Sequence, residues 1–193
     1  MTSSSFLSII IPVYNEDENV LPLTKKIETA LINYKFEIIY IDDFSTDNTV
    51  KNIKSLQNPN IKLIELKKNY GQSLALAAGI DNALGDFIIS LDGDMQNDPN
   101  DIPNMLKLLI EEDIDLVTGI RVNRKDSFFK KIPSKIANYI IRKTTKLNIQ
   151  DQGCALKVFR KETAKELNLY GEMHRFIALL AFLNGTRIKE VPV

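Results

Sequence analysis

The sequence predicts an α/β fold, an open and mostly parallel sheet with helices on both faces. Three observations lead there. Short, almost wholly apolar runs recur through residues 1–120, the composition of strands buried on both faces. Segments with apolar residues at helical spacing separate them. Three of the runs stop abruptly in polar, largely acidic clusters. Such alternation gives parallel strands joined by right-handed crossovers. Ligands of such sheets bind beyond the carboxyl ends of the strands.

The first run, Ser8-Ile9-Ile10-Ile11-Pro12-Val13, leads into Tyr14-Asn15-Glu16. Residues 17–33 carry Val20, Leu23, Ile27, Ala30 and Leu31 at helical spacing, acids before lysines, the order that suits the helix dipole. Residues 36–41 read as a second strand ending in Asp42-Asp43. Asp47 is placed to cap the helix carrying Val50, Ile53 and Leu56. Residues 61–66 form a third strand and 71–84 an alanine-rich helix. A fourth strand, 86–91, runs into Asp92-Gly93-Asp94. Pro99 opens the next helix, with Met105, Leu106, Leu108 and Leu109 on its apolar side, and 116–120 is the fifth strand.

The remainder is less regular. Residues 121–127 are polar and read as a loop, and 128–147 as a basic amphipathic helix bearing Phe129, Ile132, Ile136, Tyr139 and Ile140. Residues 149–159 hold a turn at Gly153 and a strand, a helix covers about 172–184, and 187–193 has a strand pattern. No linker divides the chain, so residues 1–193 are expected to form one domain.

At 193 residues the chain suits a single core. Cys154 is its one cysteine, which excludes an internal disulfide and suits a reducing compartment. No basic stretch precedes the first apolar run, so no secretory signal is expected. The longest apolar run, 176–183, is far short of the ~20 residues that span a bilayer. The zero net charge hides a division. Residues 1–120 carry 9 basic and 19 acidic side chains, 121–146 carry 9 basic and one acidic, and the rest 7 and 5. That division suggests a cation site in one part and an anionic partner in another. The basic stretch lacks the interleaved aromatics of a single-strand binder, so nucleic acid is not expected.

Asp92-Gly93-Asp94 is the sharpest local feature. Alone, such a triplet is common in surface turns. At the end of a buried strand, its two carboxylates suit Mg²⁺ or Mn²⁺, hard cations that take oxygen ligands and keep positions for phosphate oxygens. Gln96 offers an amide oxygen nearby. Asp42 or Asp43 can accept hydrogen bonds from a base or ribose, or cap a helix; Tyr14 can stack on a base, or simply pack.

Together these segments resemble family 2 glycosyltransferases. The motifs are Ser8-Ile-Ile-Ile-Pro-Val-Tyr-Asn-Glu16, Asp42-Asp43-Phe-Ser45-x-Asp47-x-Thr49, Asn69-Tyr-Gly71 and Asp92-Gly-Asp-Met-Gln96-x-x-Pro99. Gly119-x-Arg121, Ser134-Lys-Ile-Ala-Asn138, Asp151-Gln-Gly153-Cys-Ala-Leu-Lys157 and Gly171-Glu-Met-His-Arg175-Phe are similar to the polyprenyl-phosphate branch, which includes dolichol-phosphate mannose synthases and bacterial undecaprenyl-phosphate glycosyltransferases. The resemblance implies a GT-A, Rossmann-like fold with a nucleotide-sugar part over 1–120 and an acceptor part over 121–193. Pro12, Tyr14, Glu16, Asp42, Asp43, Asn69, Gly71 and Asp92 are implied to bind the nucleotide-diphosphate sugar, and Asp92, Asp94 and Gln96 the metal. Arg121, Lys131, Ser134, Lys157 and Arg175 are implied to meet donor or acceptor phosphates, a task that suits arginine forks and a mobile lysine charge.

The implied activity is inverting transfer of a hexose from a UDP- or GDP-sugar to an undecaprenyl or dolichyl phosphate. Asp151, Arg121 and Lys157 are the implied catalytic residues, with Asp151 either a base or an orienting partner. A phosphate monoester has a second pKa near ~6 and needs little deprotonation at neutral pH. The alternatives are a sugar or protein hydroxyl as acceptor, and a silent nucleotide-binding scaffold. The implied setting is the cytoplasmic face of a membrane, with a homo-oligomer as one option. Phe44 departs from the family's usual glycine in the Asp-Asp-Gly-Ser turn. Relatives commonly continue into a juxtamembrane or transmembrane region, which the sequence to Val193 does not carry.

Overall fold

The computed structural model describes residues 5–121 and 149–193. The helix expected over 128–147, with Lys131 and Ser134, lies outside the described residues.

The elements run β1 (Phe6–Val13), α1 (Val20–Ala30), β2 (Lys35–Asp42), α2 (Thr49–Ser55), β3 (Ile61–Glu65), α3 (Gln72–Asn82), β4 (Phe87–Ser90), a 3₁₀ turn (Pro99–Asp101), α4 (Ile102–Glu111) and β5 (Leu116–Ile120). After residue 149 come β6 (Lys157–Arg160), α5 (Lys161–Lys165), a second 3₁₀ turn (Met173–Phe176), α6 (Ile177–Leu183) and β7 (Ile188–Pro192). They build one seven-stranded sheet in the order β3-β2-β1-β4-β6-β5-β7.

The α/β expectation holds, with helices on both faces. Ile9, Ile10 and Ile11 are wholly buried because β1 sits mid-sheet under a helical layer on each side. One layer, α1, α2 and α4, packs on Ile9, Ile11, Tyr40 and Val117; the other, α3, α5 and α6, packs on Ile10, Ile39, Leu116 and Phe159. Each such isoleucine contributes about 1.5–3 kcal/mol of apolar burial. The alanine-rich sequence of α3 has a packing cause. A Cβ on Gly79 would lie 2.3 Å from Ile10 Cγ2 and 2.7 Å from Ile41 Cδ1, so small residues let α3 settle directly on β1 and β2.

Three details differ from expectation. Strand β6 inserts between β4 and β5 and runs antiparallel to both. Its apolar core, Val158 and Phe159, announces burial but not direction. Asp17 and Glu18 precede α1 rather than lying in its first turn, which contains no acid. The N-cap of α2 is Asn48 rather than Asp47, which stands one residue earlier and accepts the Thr49 N–H on Oδ1 at 2.9 Å.

The amino end of the sheet is closed by saturated polar pairs. Buried Glu37 accepts Ser8 Oγ–H at 2.6 Å and the Leu84 N–H at 2.8 Å, and pairs with Lys62 at 2.6 Å. Burial alone would raise the Glu37 pKa, but these partners hold it below the ordinary carboxylate value. Four strands away, beside β5, Asp113 and Asp115 share Arg187 and Arg160.

Candidate functional site

The carboxyl ends of β1, β2 and β4 converge on a cleft of about 340 Å³ lined by Pro12, Val13, Tyr14, Glu16, Asp43, Asn69, Gly71, Gln72 and residues 92–94. The three polar clusters read from the sequence therefore share one edge. Parallel pairing of β1 with β2 and with β4 brings them there.

Backbone bonds fix the cleft wall. Asp43 Oδ1 accepts the Tyr70 N–H at 2.7 Å and Oδ2 the Gly71 N–H at 2.8 Å, binding the tip of β2 to the loop that opens α3. Asp42 lies behind, outside the cleft lining: it is buried, and its Oδ2 accepts the Ser45 N–H at 3.0 Å. Ser45 Oγ in turn accepts the Asn15 N–H at 2.9 Å, and Asn15 Oδ1 the Thr46 N–H at 2.8 Å, joining the tips of β1 and β2. Phe44, between these anchors, has φ 71°, the left-handed conformation for which relatives' glycine is suited, and it is half exposed.

At the end of β4, Asp92 Oδ1 accepts Gln72 Nε2–H at 2.6 Å. Burial and then the neighbouring Asp94 charge push the Asp92 carboxyl up to about 6, against the opposing pull of Lys157 and Arg121. Asp94 Oδ1 accepts the Gln96 N–H at 3.0 Å across Met95, whose φ is 63°. Gly93 is required by contact: a Cβ there would lie 2.9 Å from Val13 Cγ1 and 3.4 Å from Glu16 Cγ. Gln96 is exposed and outside the cleft lining.

The Asp94 charge raises the proton affinity of Asp92 in a concave acidic cleft, a repulsion that a hard cation relieves. Among the described residues, no three His, Cys, Asp or Glu side chains form a closed metal cage. The pair thus leaves coordination positions to other oxygens. This donor set fits Mg²⁺ or Mn²⁺ shared with phosphate.

Beside it, Arg121 grips Asp151 with two prongs, Nε to Oδ2 at 2.8 Å and Nη2 to Oδ1 at 3.0 Å, and the Arg121 N–H adds a 3.3 Å bond. Lys157 is 2% exposed and its ammonium donates to the Cys154 carbonyl, so the lysine implied to meet phosphate is enclosed within the sheet. Burial lowers its pKa, while Cys154, Asp92 and Asp151 draw it upward. Arg175 is well exposed and pairs with Glu172 at 3.1 Å.

Sequence reasoning passed over Gln72, which holds Asp92, and the link between Ser73 and His174. Ser73 Oγ accepts the His174 N–H at 3.0 Å and lies 2.9 Å from its Nδ1, fastening the second 3₁₀ turn to the start of α3. The available signal was the polar pair Gln72-Ser73 opening an otherwise apolar helix.

The model of glycosyl transferase family 2 matches residues 8–167. A dodecaprenyl-phosphate galacturonate synthase of Rhizobium johnstonii is 42% identical over 195 residues, which cover 97% of this chain and 58% of the relative. The chain thus spans little more than half of that relative's length. Among solved structures, glucosyl-3-phosphoglycerate synthase of Mycobacterium tuberculosis with Mn²⁺ and UDP-glucose aligns with a TM-score of 0.79 at 16% identity, over 98% of this chain and 69% of that one. A mannosyltransferase of Pyrobaculum calidifontis with GDP-mannose and Mn²⁺ aligns at 0.71 and 19% identity, over 96% and 54%. At these identities the likeness is one of fold.

Proposed function

The chain belongs to glycosyl transferase family 2, and from that premise we propose that it moves a sugar from a nucleotide-diphosphate sugar to a polyprenyl phosphate at a membrane surface. The observation that carries this reading is the convergence of three strand ends on one cleft, with Asp92 and Asp94 in its lining and the charge of Arg121, itself paired with Asp151, acting on Asp92. The name of the 42% identical relative supports a polyprenyl-phosphate acceptor and suggests a uronic acid among the candidate sugars.

In this reading Tyr14, Glu16 and Asp43 line the place of the nucleoside, and Asp92 and Asp94 hold Mg²⁺ or Mn²⁺. A bound cation would supply charge neutralisation to the diphosphate as it leaves. The residues' own task is orientation. The acceptor phosphate oxygen bonds to the anomeric carbon as the bond from that carbon to the diphosphate oxygen breaks, with inversion. The nucleophile is already largely ionised at neutral pH, since its second pKa is near ~6. Both oxygens of Asp151 are taken up by Arg121, an arrangement that supports an orienting role over that of a base.

The test is a two-substrate screen. Nucleotide-linked glucose, N-acetylglucosamine, galacturonate and mannose are each offered with undecaprenyl phosphate or with soluble sugar acceptors. Label entering the lipid phosphate alone is expected. Label entering soluble hydroxyls would move the assignment to a hydroxyl acceptor, and nucleotide binding without transfer or donor hydrolysis would indicate a silent scaffold.

A further inference from the structure

The loop over residues 150–155 carries Asp151 to Arg121 and Cys154 to the cation turn, where Asn97 Nδ2 approaches Cys154 Sγ at 3.7 Å. What fixes this loop is a single transverse row of the sheet. Strand register places Ser90 on β4 opposite Lys157 on β6, Lys157 opposite Thr118 on β5, and Thr118 opposite Glu190 on β7. Cross-strand partners project to the same face, so these four side chains form one bar.

Three of them end on the backbone of that loop. Ser90 Oγ–H donates to the Ala155 carbonyl at 2.7 Å, and the Lys157 ammonium donates to the Cys154 carbonyl. Glu190 accepts the Gln150 N–H at 2.8 Å and the Asp151 N–H at 3.0 Å. Both ends of the loop are therefore held, one by a carboxylate on N–H groups and the other by a cation and a hydroxyl on carbonyls. The enclosure of Lys157 explains itself in the same way. At 2% exposure its ammonium is spent on the loop, while the charges of Asp92 and Asp151 still act on it.

We propose that Lys157 and Glu190 are positioning residues, which with Ser90 clamp the 150–155 loop and so set the Asp151 carboxylate against Arg121, and that neither side chain contacts a substrate phosphate. The turnover part of this proposal rests on the sugar transfer proposed above; the clamp itself does not.

The experiment compares K157M, K157R and E190Q with the unchanged chain in three measurements: amide hydrogen exchange over residues 150–156, cation-dependent nucleotide affinity, and kcat and KM for both substrates. In K157M and E190Q, exchange at Gln150 and Asp151 is expected to quicken at least about 10-fold, as local opening becomes easier. Their kcat is expected to fall about 10-fold or more through misplacement of the reacting groups, with KM values and nucleotide affinity within about threefold, the pattern of a lost transition-state interaction. K157R, which keeps the donor and the charge, is expected to recover most of both. Unaltered exchange in both variants would overturn the clamp. A 10-fold rise in KM for either phosphate substrate in K157M, with kcat and exchange unchanged, would make Lys157 a phosphate ligand after all. Should K157M fail to fold, E190Q, a near-isosteric change on a half-buried side chain, decides by the same readouts. If the unchanged chain transfers no sugar, the functional reading falls while the exchange comparison still decides the clamp.

Discussion

The two ends of the sheet treat charge in opposite ways. At the amino end, Glu37 is surrounded by donors that lower its pKa, and the exposed Asp113 and half-buried Asp115 are likewise held down by Arg187. At the carboxyl end, Asp92 is half-buried beside a second carboxylate and pushed up to about 6. Backbone strain divides similarly. Left-handed non-glycine residues near the amino end are Gln57 and Asp113, both polar, whereas Asn15, Phe44 and Met95 flank the cleft and two of these three are apolar. One end is arranged for stability, the other holds unrelieved charge and strain in place for a ligand.

The largest expected effect breaks the carboxyl end alone. Asp94→Ala is expected to lower sugar transfer at least about 1000-fold, since a cation's charge stabilisation amounts to several kcal/mol, while the melting temperature stays near that of the parent. A variant that melts far lower would show that Asp94 also supports the fold.

Glu37→Ala is the converse. It strips the buried Ser8 hydroxyl and Leu84 N–H of their acceptor, so a loss of about 2–4 kcal/mol in denaturant unfolding is expected, with turnover per folded molecule unchanged. The sign of the pH effect follows from the lowered pKa. Glu37 contributes its full stabilisation above the unfolded value near 4.5 and loses it as pH falls through the lower folded value. Unfolding midpoints measured from pH 6 to pH 3 should therefore fall more steeply in the parent than in Glu37→Ala.

Asp151→Asn sharpens the assignment within the site. As an orienting partner, Asp151 should cost about 10- to 100-fold in kcat when made neutral, because the amide still accepts one Arg121 bond. A general base would be missed most above its own pKa and least at low pH, where the parent's is already protonated, so its loss would remove the rising limb of the rate profile. The smallest effect concerns strain. Phe44→Gly should raise stability by about 0.5–1 kcal/mol, the left-handed penalty less the extra chain entropy of glycine. A loss of stability instead would mean that the Phe44 ring packs against its surroundings.

Much of this division was legible in the sequence. All-isoleucine runs give buried parallel strands, and acidic clusters at their ends mark the ligand edge, so β1 to β5 and the Asp92-Gly93-Asp94 turn could be placed before any coordinates. Periodicity carries no direction, which is why β6 was expected as a strand but not as an antiparallel insertion beside β4. Nor does a residue's chemistry reveal which way it faces. The resemblance implies a phosphate contact for Lys157, which its charge suits, yet its strand position turns it inward, and Glu190, unremarkable in sequence, reaches Asp151 only because β7 pairs in parallel with β5. Gln72 escaped notice for the same reason: its contact with Asp92 spans 20 residues and exists only once α3 lies on β1.

The central claim is that the carboxyl-end acidic pair holds a cation on which sugar transfer to a lipid phosphate depends. Single-turnover transfer from a labelled nucleotide-sugar to undecaprenyl phosphate, followed as Mn²⁺ is titrated against excess chelator in the parent and in Asp94→Ala, tests it most directly. Transfer that rises with free Mn²⁺ in the parent and stays at background in the variant is the predicted result. Undiminished transfer in excess chelator, or equal rates in parent and variant, would contradict it.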